Sequence, residues 1–160
     1  ISARNYWSGQ PIAGLNPGRG PMCFAACETS ADGGKGRSKI VTPEEFGTRF
    51  KVSRETLASL SAYVALLEKW QPRINLVSPA TLPDIWDRHI LDSAQLIPHL
   101  PMVPAHERCQ ILDIGSGAGF PGLVLAILGA GDVQLVESDQ RKSVFLQTVI
   151  RELGLSARVS

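Results

Sequence analysis

The chain has 160 residues, near the size of one ordinary domain, with 44% hydrophobic and 19% charged side chains, enough apolar surface for one core. Sixteen Lys and Arg against fifteen Asp and Glu give a net charge of +1, which excludes a global field for a polyanion and leaves only a local patch for any nucleic acid. No apolar run reaches the ~20 residues of a membrane span, and no basic start precedes an apolar stretch as in a secretory signal, so no membrane contact and a cytoplasmic setting are expected.

Residue 1 is Ile, Met22 is the first methionine and Ser160 falls inside a predicted strand; the chain reads as a fragment at both ends. Residues 1–39 are rich in Gly and Pro, as in Gly14-Leu15-Asn16-Pro17-Gly18, and hold no helical or strand period. They are expected to be a disordered tail. The tail has no acidic residue before Glu28, a transit-peptide trait, although linker or untranslated sequence before the domain is the plainer reading. Cys23, Cys27 and Cys109 are in no zinc spacing and read as reduced bystanders, and no metal site is expected.

Residues 40–106 read as a helical N-terminal subdomain. Thr42-Pro43-Glu44-Glu45 is a capping box with proline at the first helical position, and Phe46 and Phe50 share one side. Ser53 starts a second helix whose Leu57, Leu60, Val64, Leu67 and Trp70 form one apolar stripe. Arg73 to Pro79 breaks the pattern, and Asn75 is positioned to hold the bend through side-chain bonds to backbone. Pro83 opens a predicted third helix with Ile85, Trp86, Ile90, Ala94 and Ile97 on a common face, ending near Pro98 and Pro101. Trp70 and Trp86 are read as core, not as a base-stacking platform.

Residues 107–160 change character. Cys109 to Ile114 predicts a strand buried on both faces. A helix follows from about Pro121 to Leu128, then a strand over Val133 to Glu137. Asp139 caps a helix carrying Val144, Phe145, Thr148 and Leu153 to one side, Gly154 ends it, and Ala157-Arg158-Val159 starts a third strand. The alternation predicts a doubly wound α/β fold, with the helical block as a subdomain or cap.

The glycine-rich turn between the first strand and its helix lets backbone approach a ligand. Gly117-Ala118-Gly119-Phe120-Pro121-Gly122 matches the dinucleotide pattern G-x-G-x-x-G, but that pattern wants its first glycine directly after the strand, where Gly115 stands. Asp113 followed by alternating Gly115, Gly117 and Gly119 fits the other template, that of class I methyltransferases. Its cofactor has no pyrophosphate and carries a sulfonium and an ammonium, which a nearby carboxylate favours. Asp113 is the candidate for that role; the plainer reading makes it a helix-capping carboxylate. Glu137 ends the next strand, 22 residues after Gly115, where a carboxylate can accept both ribose hydroxyl protons of an adenosine. Its plainer reading is a solvated strand-end charge. Asp113, Gly115, Ser116, Gly117, Gly119, Phe120 and Glu137 are the candidate S-adenosyl-L-methionine-binding residues.

From Lys51 to Val159 the sequence resembles the bacterial small-subunit (16S) ribosomal RNA guanine-N7 methyltransferases, the glucose-inhibited division protein B family. The resemblance rests on Leu67-Glu68-Lys69-Trp70 with Ile74-Asn75-Leu76-Val77, on Arg88-His89-Ile90-Leu91-Asp92-Ser93, on Leu112 to Gly122, and on Val136-Glu137-Ser138-Asp139-Gln140-Arg141-Lys142 with Phe145-Leu146. Family members often carry Asp at the place of Glu137 and Asn at that of Gln71. The resemblance implies a class I, Rossmann-like methyltransferase fold, here C-terminally truncated, and methyl transfer to N7 of a guanine in small-subunit ribosomal RNA or the ribosomal subunit, by a monomer. It implies that the fragment alone is inactive. Guanine N7 is an unprotonated lone pair, so alignment can supply the catalysis and no catalytic base is named. His89 and Asp92, three apart on one helix face, either line the substrate side of the pocket or serve packing and capping. Arg141 is either an RNA-phosphate contact or part of a solvated face. The alternatives are an NAD-binding oxidoreductase domain and a non-catalytic piece.

Overall fold

The computed structural model describes residues 41–104 and 107–160. The predicted tail, with Cys23 and Cys27, lies outside the described residues. Helix α1 spans Pro43–Phe50 and opens on the expected capping box: Glu45 N–H donates to Thr42 Oγ1 at 3.2 Å, and Thr42 N–H to Glu45 Oε2 at 3.3 Å. Helix α2, Arg54–Trp70, is capped by Ser53 and buries Leu60, Tyr63, Val64 and Leu67. Leu57 and Trp70 pack half-buried at the edge of that stripe.

The predicted third helix is not one helix. A 3-10 turn at Leu82–Asp84 leads into a π-helical turn, Trp86–Leu91, then a short α3 at Asp92–Ala94 and a 3-10 turn at Ile97–His99. At the C-terminal end of the π-helical turn the His89 carbonyl accepts the Ser93 hydroxyl at 2.6 Å and the Asp92 N–H. The π-helical turn and α3 together bury Ile90 and Ala94 of the predicted face and, beyond it, Leu91 and Ser93.

Strand β1, Gln110–Ile114, pairs in parallel with β2, Asp132–Val136, and helix α4, Gly122–Ile127, connects them. Val159 bridges to Val133 in parallel on the other edge of β2, at the place predicted for the third strand. Helix α5, Gln140–Glu152, starts at Asp139, whose carboxylate accepts the Arg141 and Lys142 N–H groups. The whole is a mixed α/β arrangement around a small parallel sheet.

Two burial expectations are corrected. β1 is not covered on both faces. The register sets Ile111 beside Val133 and Asp113 beside Leu135 on the inner face, towards α4; Leu112, Ile114 and Val136 stand on the other, 57%, 75% and 47% exposed. Val144 is also exposed, because α5 turns Phe145, Leu146 and Val149 inward and Val144 lies off that arc. One apolar cluster runs from Phe46 through α2 and α4 to Val159. Trp70 meets Phe145 edge-on at 5.8 Å and Trp86 meets Phe46 at 5.7 Å, so both tryptophans join elements within the body of the fold.

Candidate functional site

The loop after β1 is tied to the sheet by Ser116. Gly115 N–H and Ser116 N–H both donate to the Val136 carbonyl, at 2.7 and 3.1 Å. The Ser116 hydroxyl donates to the Asp113 carbonyl at 2.9 Å and accepts the Val136 N–H at 3.1 Å. Ser116 is 2% exposed, so its side chain holds the loop and offers nothing to the outside.

Gly115, Gly117 and Gly119 all adopt positive φ, at 78°, 57° and 98°, where a side chain is strained. Their surroundings differ. A Cβ on Gly115 would meet nothing within 4 Å, whereas one on Gly119 would run into the Leu123 side chain. Gly115 therefore faces open space, and Gly119 is pressed into the core.

The two carboxylates part ways. Glu137 turns toward the loop: Oε2 accepts the Gly117 N–H and Oε1 the Asp139 N–H, both at 2.7 Å. These backbone donors, Asp139 N–H foremost, hold its pKa below the ordinary glutamate value. Asp113 is buried beneath the loop, and its Oδ2 accepts the Gly122 N–H at 3.1 Å, at the start of α4. Burial pushes its pKa up, against the lowering effect of that bond. The helix-capping geometry weighed for Asp113 is present. Glu137, weighed as a solvated strand-end charge, is half-buried at the strand end and bonded to two backbone N–H groups.

The helical block reaches the same loop through His89 and through Tyr63, which the sequence reading did not single out. Tyr63, fully buried on α2, donates its hydroxyl to the Ala118 carbonyl at 2.6 Å. Its ring lies 5.4 Å from that of Phe120. Burial raises the Tyr63 pKa well above the ordinary tyrosine value, with Asp113 adding to the effect, so the hydroxyl stays a donor. The apolar stripe read from the sequence, Leu57, Leu60, Val64, Leu67 and Trp70, passes over Tyr63, whose polar destination shows only once the loop is seen. His89 stacks on Phe120, centroids 4.8 Å apart and rings 20° from parallel.

Asp92 is exposed and sits near His89, whose pKa its charge raises against the larger lowering by burial. Arg141 is exposed and pairs with Asp139 at 3.4 Å; no contact brings it to the glycine loop. The bend after α2 is held by Gln71, not by Asn75. Gln71 Oε1 accepts Leu76 and Val77 N–H, each at 3.1 Å, and Nε2 donates to the Val77 carbonyl at 2.7 Å. Asn75 is exposed and meets only the Gln71 amide, at 3.5 Å. A cleft of about 330 Å³ between α2 and α5, lined by Lys69, Trp70, Arg73 and Glu152 among others, includes no glycine-loop residue. Among the described residues no group of three or more His, Cys, Asp and Glu could hold a metal ion, and no helix is long and apolar enough to cross a membrane.

At residues 113–137 a strand-end carboxylate folds back onto a loop of three positive-φ glycines. A family model described as rRNA small subunit methyltransferase G matches residues 56–159, most of the chain. The chain belongs to the rRNA small subunit methyltransferase G family. It is similar to proteins named ribosomal RNA small subunit methyltransferase G from three bacteria. It is 59% identical over 109 residues to that of Paramagnetospirillum magneticum, covering 68% of this chain and 51% of that protein. It is 57% identical over 116 residues to that of Rhodospirillum centenum, covering 72% and 51%. With that of Rhodospirillum rubrum it shares 61% over 106 residues, covering 66% and 51%. The chain thus spans about half the length of the curated relatives it matches.

Proposed function

We propose that the chain carries the cofactor-binding part of an S-adenosyl-L-methionine-dependent methyltransferase of class I, Rossmann-like fold, acting on N7 of a guanine in small-subunit ribosomal RNA in the cytoplasm, as a monomer. On this reading residues 40–106 are a helical N-terminal subdomain that backs the loop, and residues 107–160 open the Rossmann-like unit. Family membership and the names of the relatives support the substrate class. Contact between Glu137 and the glycine loop is the single observation that carries the cofactor assignment.

The residues present fit such a ligand. The open side of Gly115 gives room for it against bare backbone. Glu137 spends one lone pair of each oxygen on backbone donors, and the remaining acceptors suit the two ribose hydroxyls. Asp113 lies one layer deeper and acts on the cationic end as a charge beneath the loop, directly or through water. The bound cofactor supplies an electrophilic methyl group. Gly115, Gly117, Gly119 and Phe120 shape the surface that orients it, and Ser116 holds that surface through the sheet. His89 and Asp92 stand on the substrate side. Arg141 lies outside the contact shell of the loop and serves RNA phosphate.

Calorimetric titration of the chain with S-adenosylmethionine and with NAD tests the assignment. Saturable binding of the first and none of the second is expected. The dinucleotide reading would stand instead if NAD bound and S-adenosylmethionine did not.

A further inference from the structure

Thr81 Oγ1 stands at the centre of two short contacts. It lies 2.9 Å from the Ser78 carbonyl and 3.0 Å from His89 Nε2. A threonine hydroxyl has one proton. A carbonyl can only accept, so that proton goes to Ser78. The contact to His89 is then a hydrogen bond only if Nε2 carries the ring proton. The opposite assignment wastes one of the two contacts. Burial lowers the His89 pKa more than Asp92 raises it, so the ring is neutral near pH 7. With Nε2 protonated, Nδ1 is a bare acceptor.

Nδ1 is also accessible. Among the described residues, no buried side-chain nitrogen or oxygen lacks a hydrogen-bond partner, and the recorded bond of the His89 ring is the one at Nε2. Nδ1 is therefore not sealed from solvent, while the ring face is stacked on Phe120 of the glycine loop. The π-helical turn and the Ser93 bond to the His89 carbonyl fix the backbone from which the ring projects.

We infer that His89 is a specificity-determining residue: Thr81 holds it as the Nε2–H tautomer so that Nδ1 accepts a hydrogen bond from an N–H of the substrate purine. This rests on the methyltransferase reading and names its recognition group. A guanine that presents N7 to a methyl donor keeps N1–H and its exocyclic amine on the other edge, and both are donors. Adenine also has an amine, but on C6, and carries a lone pair at N1 where guanine has N1–H. An acceptor aimed at N1–H, beside the glycine loop, therefore favours guanine and meets a lone pair in adenine.

Two measurements test the inference. Long-range proton–nitrogen correlation of the 15N-histidine-labelled chain at neutral pH should show His89 protonated at Nε2 and bare at Nδ1, its signals identified by their loss in His89→Asn. A ring protonated at Nδ1 overturns the proposal. The second is binding of GMP and AMP to the chain in the presence of S-adenosylhomocysteine. Asparagine places its amide near the position of Nδ1, and glutamine near that of Nε2. The wild-type chain and His89→Asn should prefer GMP, and His89→Gln should lose about tenfold of that preference, one hydrogen bond's worth. Equal preference in His89→Gln, equal loss in both variants, or no preference in the wild type overturns it. Failure of the cofactor titration would sink the methyltransferase reading but leave the tautomer measurement standing, so the two failures are distinct.

Discussion

Asp113 serves two demands that pull apart. A buried carboxylate costs folding energy when ionised, yet the ionised form is the one that favours a cationic ligand. Its raised pKa means that the charge opposes folding above the ordinary aspartate range, and that acid relieves this cost. Asp113→Asn keeps an acceptor for the Gly122 N–H and removes the charge. The variant should melt no lower than the parent by calorimetry, while its affinity for S-adenosylmethionine falls about tenfold, the worth of one charge-assisted bond. Glu137 has the opposite sign. Its pKa is depressed, so the ionised carboxylate stabilises the fold above the ordinary value of 4.5, and that contribution is lost as the pH falls through the lowered value. In Glu137→Gln the loss of stability below about pH 4.5 should be shallower than in the parent when followed by circular dichroism. Tyr63→Phe leaves the buried Ala118 carbonyl without its donor and should cost about 1–3 kcal/mol in denaturant melts.

At the scale of elements, the glycine loop separates packing from binding. Ala at 119 meets Leu123 and Leu146 as well as an unfavourable φ, so Gly119→Ala should destabilise by on the order of 2 kcal/mol or more. Gly115→Ala meets open space and pays only for φ, about 1–2 kcal/mol, but its methyl fills the side proposed for the ligand. Cofactor affinity should therefore drop further in Gly115→Ala than its melting temperature suggests, by calorimetry on both variants. The loop was legible because alternating glycines after a strand have few other uses. The caps at Thr42, Ser53 and Asp139 were legible for a similar reason: each satisfies helix N–H groups within three residues. The π-helical turn was not. An extra residue per turn over Trp86–Leu91 leaves no mark on a short apolar pattern. Nor was the bend clamp at Gln71, since Asn75 also has an amide and only the chain path decides which one reaches the backbone.

At the scale of the whole molecule, the sheet is packed on one face by the described residues. Leu112 and Ile114 read as strand interior because apolar runs in parallel sheets are normally covered twice; the described residues cover them on one face only. The helical block and the α/β unit share one cluster, and they meet at the loop through Tyr63–Ala118, Tyr63–Phe120 and His89–Phe120. No local pattern revealed these long-range contacts, although the family resemblance placed His89 near the site. The central claim is that residues 115–120 and Glu137 form the surface for an adenosyl-sulfonium ligand. Amide proton–nitrogen spectra of the chain, recorded as S-adenosylmethionine is added, test it most directly. The account predicts saturable shifts concentrated at Gly115, Gly117, Gly119, Phe120 and residues 137–139. Shifts centred elsewhere, for instance on the cleft between α2 and α5, or no shifts at saturating cofactor, would contradict it.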